Sequence, residues 1–211
     1  VRAFRTKLDT DVVRAELAAR AEHAHLRFRV ALDSLLAACG WYVLADIGPR
    51  RLVLAFEDAA VLEREEGQFR TYSDYETAAQ GALAEARAAV TDIPDALEDS
   101  SLEGLALLAD RVSHTVTGFV APRLDRRAAA CRVVTVSQAH SLVDRVQRPY
   151  LGALDIAATA RHLDGDPEQV IRPMGALAAR WEAFPDSRHA CATDIVDCAD
   201  DYLARTWAVP S

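Results

Sequence analysis

Asparagine is absent from this chain of 211 residues, and lysine occurs once, at Lys7, against 23 arginines. Asparagine belongs to turns and caps and is disfavoured inside helices, so its absence argues against a turn-rich chain. The four cysteines, Cys39, Cys131, Cys191 and Cys198, form no Cys-x-x-Cys pair and no His/Cys group with zinc-finger spacing. Cys191 and Cys198 are seven apart on one expected helix, roughly 10 Å along its axis and too far for a disulfide. Reduced, buried thiols and a cytoplasmic location are therefore expected. No run of 18 apolar residues is present, which excludes a helical membrane span. The opening Val1-Arg2-Ala3-Phe4-Arg5 lacks the apolar run of a signal peptide. A glycine-rich phosphate loop, Gly-x-Ser-x-Gly and His-Glu-x-x-His are all missing, so no complete catalytic motif stands in the chain and no cofactor is expected. No internal repeat and no low-complexity linker is evident. The net charge of −8 argues against non-specific binding to nucleic acid or an anionic membrane.

What is present is alanine, at 41 positions, the strongest helix former. The fold class expected is all-α, a single elongated bundle of about seven to eight helices over residues 1–211, with a weak subdomain break near 91–101. The clearest segment runs from Asp11 to Asp46. Its seam of Leu17, Ala21, Ala24, Phe28, Ala31, Leu35, Ala38 and Tyr42 alternates steps of four and three, and Gly48-Pro49 is expected to stop it. Arg50–Glu66 reads as a helix, although Arg51 to Phe56 also suits a strand. Capping boxes are expected at Ser73/Glu76 and Ser100/Glu103, opening helices to about Val90 and Thr117. A long basic helix is predicted from Pro122 to Gln147, seamed by Val136, Ala139, Val143 and Val146. Pro149 opens the next, to about His162. Asp166-Pro167 should cap a helix reaching Phe184, bent at Pro173. The last, Ser187 to Trp207, carries Cys191, Ile195, Cys198 and Tyr202 as its seam.

Three constellations carry chemistry. Glu22 and His25 form one Glu-x-x-His, half of what a di-iron bundle needs. Asp110/His114 and His140/Asp144 are four apart, so each carboxylate could orient an imidazole. With His25 they would make a three-histidine metal site. Asp194, Asp197 and Asp201 form a ridge beside the last seam that could hold magnesium against a phosphate, but Glu63, Glu65 and Glu66 are the only dense acidic cluster to face it. Arg123, Arg126, Arg127, Arg132, Arg145 and Arg148 make the 122–147 helix basic. With the acidic ridge of the last helix, this gives a charge-segregated surface. The first expectation for function is a non-enzymatic interaction subunit that docks on itself or on a protein partner. The alternative is a small-molecule- or metal-binding helical domain with its site between helices, and a magnesium-dependent enzyme comes third.

Overall fold

The computed structural model describes the backbone of residues 2–66, 74–91, 101–164, 166–167 and 169–206, and the side chains of these from 23 onwards, except 65–66 and 74–76. Among the described residues there are eight α-helices and no strand. They are α1 (Arg2–Val43), α2 (Pro49–Glu66), α3 (Asp74–Thr91), α4 (Leu102–Val120), α5 (Arg126–Val143), α6 (Pro149–Ala158), α7 (Ile171–Ala183) and α8 (Arg188–Thr206), with 3-10 turns at Thr159–His162 and Pro185–Ser187. The segment Arg51 to Phe56 is helical, because Leu52, Phe56 and Ala59 fall on one face and are buried.

The helix ends differ from those the sequence predicts, and each difference has a local cause. α1 stops at Val43, five residues before Gly48. Ala45 takes a left-handed φ of 63°, with Asp46 N donating to Trp41 O (2.9 Å) and Ala45 N to Tyr42 O (3.0 Å). This is a Schellman closure built on alanine, where glycine is usual. α5 ends the same way, on Arg145 at φ 59°, with Val146 N on Ser141 O and Arg145 N on Leu142 O. The cap of α4 is Ser101, whose hydroxyl accepts from Gly104 N, and not Ser100. α5 begins at Arg126, because Asp125 accepts from the amides of Arg127 and Ala128. α7 begins only at Ile171; the Asp166 carboxylate reaches forward to the amides of Val170, Ile171 and Arg172. The Ser73/Glu76 box and residues 92–100 of the expected break lie outside the described residues.

α1 and α5 form the spine. Gly40 lies so close to α5 that a Cβ there would sit against Val134 Cγ2 and 2.6 Å from the carbonyl of Ala130. Leu44 clusters with Ala130 and Cys131, while Arg29, a turn or more earlier on α1, pairs with Asp144 at the far end of α5. The two helices are therefore antiparallel. On this spine the chain repeats itself: α2 packs on α1 as α6 packs on α5, α4 packs on α1 and α2 as α8 packs on α5 and α6, and α3 pairs with α4 as α7 pairs with α8. The Schellman residues 45 and 145 and the helix-opening prolines 49 and 149 are each 100 positions apart. The expectation of no internal repeat is thus overturned. The halves share one continuous core, to which Leu35, Leu52, Leu83, Val112, Val136, Ile156, Met174 and Ile195 all belong.

A polar cleft at the junction of the two halves

Between α1, α2, α5 and α6 opens a cleft of about 600 Å³. Five pairs of positions 100 apart line it together: Ala38 and Gln138, Trp41 and Ser141, Asp46 and Val146, Ile47 and Gln147, Ala55 and Asp155. A cleft on an approximate two-fold axis between like halves has this property. In each pair one residue is apolar or aromatic and the other is polar. At these positions the first half gives Ala38, Trp41, Ile47 and Ala55, and the second gives Gln138, Ser141, Gln147 and Asp155. Asp33, Ser34, Arg51 and Arg161 complete the polar lining.

The polar groups are held in place. Asp46, in the turn that closes α1, accepts from Arg161 Nη2 at 2.7 Å and lies 3.0 Å from His162 Nε2, which ties that turn to the 3-10 turn after α6. Partial desolvation works against the ionised Asp46, but hydrogen bonds from Arg161 and His162 outweigh it and hold the carboxyl below its ordinary range. Gln147 donates through Nε2 to Asp155 Oδ2 at 2.9 Å. Burial pushes the Asp155 carboxyl up, and the Gln147 bond and the charge of Arg51 offset part of that rise. The side-chain oxygens of Gln138 and Gln147 are buried without a hydrogen-bond partner among the described residues. A buried acceptor left unpaired costs roughly 1–3 kcal/mol, so such atoms concentrate where something else supplies the donor. Asp33, on the buried face of α1, is 3% exposed.

The residues singled out from the sequence fall elsewhere. Glu22 and the side chains of Glu65 and Glu66 lie outside the described side chains. Asp110 does not orient His114: its carboxylate accepts from Tyr42 OH at 3.2 Å and lies 3.9 Å from Arg126, while His114 is exposed. Burial, and then the charge and hydrogen bond of Asp110, raise the Tyr42 phenol above its ordinary value. Asp144 is paired with Arg29 across the spine. Burial and the nearby Arg29 charge pull His140 down to about 3, so its imidazole is neutral. Among the described residues no three His, Cys, Asp or Glu side chains are grouped to hold a metal ion, and the expected site from His25, His114 and His140 does not form. Asp194 is engaged by Arg180 of α7, and Glu63 by Arg87 of α3, so the two acidic clusters of the magnesium reading face cations of their own neighbours. Asp197 and Asp201 are exposed. The arginines do not share one face: Arg123, Arg126 and Arg127 stand at the start of α5, while Arg145 and Arg148 lie beyond its end, about 27 Å away along an 18-residue helix.

Sequence reasoning passed over Asp33, Trp41, Gln138, Gln147 and Asp155. The signal was present in part, since Asp33-Ser34 and Ser137-Gln138 interrupt the most apolar stretches of the two spine helices. Comparison with protein-family models, with curated proteins and with solved structures finds no match to this chain. No helix among the described residues is long and apolar enough to cross a membrane.

Proposed function

We propose that this protein is a helical binding module whose cleft takes a small amphipathic molecule. The observation that carries the reading is the lining: an aromatic and apolar set from the first half meets an amide and carboxylate set from the second, in a space of the size that holds small organic ligands. The test is native mass spectrometry of gently purified protein beside a Ser34→Trp variant, which fills the cleft from its exposed edge. A small-molecule adduct on the wild type that the variant loses is the expected result. A bare chain in both, or an adduct that the variant keeps, overturns it.

A second reading, docking on a protein partner or on itself, draws on a different surface. Leu26, Leu54 and Val61 are exposed large apolar residues along one groove between α1 and α2. Neighbouring apolar side chains left in water favour association. In the same mass spectra this reading predicts a mass higher by a whole subunit.

A further inference from the structure

The cleft is rich in acceptors and carries an excess of negative charge. Gln147 cannot turn its amide round, because its nitrogen must face the Asp155 carboxylate, so its buried oxygen remains an acceptor. Gln138 presents a second buried amide oxygen. The carboxylates in the lining, Asp33, Asp46 and Asp155, outnumber the guanidinium groups of Arg51 and Arg161 by one. Arg161 is already engaged by Asp46. An anionic ligand would meet the acceptors and the surplus carboxylate. A neutral donor would satisfy the amides but leave the charge. Trp41 adds an aromatic surface, which attracts cations and apolar carbon alike.

Resting on the binding role proposed above, we infer that the ligand carries a cationic nitrogen head, an ammonium or amidinium group. Gln138 Oε1, Gln147 Oε1 and the Asp155 carboxylate receive the head, and Trp41 and Ile47 take the apolar part.

Benzylammonium, benzyl alcohol and benzoate share one ring and differ in charge, and isothermal titration of the intact protein with each tests the inference. Benzylammonium is expected to bind about tenfold more tightly than the other two, the scale of one charge-assisted hydrogen bond. Gln147→Leu should weaken it by a similar factor; if that variant fails to fold, as judged by circular dichroism, Gln138→Leu replaces it. Equal or tighter binding of benzyl alcohol or benzoate overturns the cationic head and leaves the binding role standing. Binding of benzylammonium unchanged in the folded variant overturns the placement of the head. No binding by any of the three defeats both this inference and the role on which it rests.

Discussion

Ala45 and Arg145 hold the left-handed conformation that closes the two spine helices, and neither is glycine. An L-residue pays a steric penalty there that glycine avoids, offset in part by glycine's greater freedom in the unfolded chain. Ala45→Gly is therefore expected to stabilise the protein by about 0.5–1 kcal/mol and to raise Tm by about 2 °C, read by thermal melting. A lower Tm would show that the closure depends on the alanine side chain. His140 makes an opposite kind of demand. Its imidazole, held near 3 by burial and then by the Arg29 charge, takes up a proton far less readily in the fold than in the unfolded chain, where it titrates near 6.5. The unfolded state binds more protons between these values, so its contribution is complete above about pH 6.5 and is lost as pH falls towards 3. The steepest slope from this one group is about 1.4 kcal/mol per pH unit. Urea midpoints measured from about pH 7 down to pH 4 should fall less in His140→Gln than in the wild type; parallel curves would remove His140 as the source.

At the scale of the helix, the spine depends on close approach. Gly40 is fixed by the backbone carbonyl of Ala130, which cannot move aside as a side chain can. Gly40→Ala forces α1 and α5 apart and should cost about 1–3 kcal/mol, the range for overpacking in a filled interior. Gly175 sets the comparison: an added Cβ there meets only Ala157 Cβ at 3.7 Å, so Gly175→Ala should not destabilise and, on helix propensity, should gain some tenths of a kcal/mol. Chemical denaturation of both variants checks the contrast, and equal effects would mean that the spine tolerates separation. Much of this level was legible in the chain. Phe28, Ala31, Leu35 and Ala38 are buried as the four-three spacing requires. The helix ends were not. They depend on which carboxylate reaches which amide, as when Asp166 caps a helix that starts five residues on, and on left-handed residues that no glycine marks.

For the whole molecule, the repeat and the cleft were invisible in the sequence for one reason. Across positions 26–56 and 126–156 only Arg27/Arg127, Val43/Val143, Pro49/Pro149 and Leu54/Leu154 are identical. The halves keep helix order and closures while their side chains have diverged, most visibly at the five cleft pairs, where polar faces apolar. Apolar periodicity reports where a helix is buried, and says nothing about which helix, 100 residues away, buries it. The shared spine has a consequence for unfolding. Val133, Val136 and Leu142 of α5 belong to the same continuous core as Leu32, Leu35 and Cys39 of α1, so neither half can lose its packing while the other keeps its own. Unfolding should therefore be one transition, although the topology is that of two units. In a background where Trp181 and Trp207 are phenylalanine, Trp41 fluorescence reports the junction and far-ultraviolet circular dichroism reports all helices. The two urea curves are expected to coincide, and Gly40→Ala should shift both together without splitting them. Fluorescence that changes at lower urea than the helix signal would mean that the halves part before they melt, and that the junction and its cleft are the weakest part of the fold.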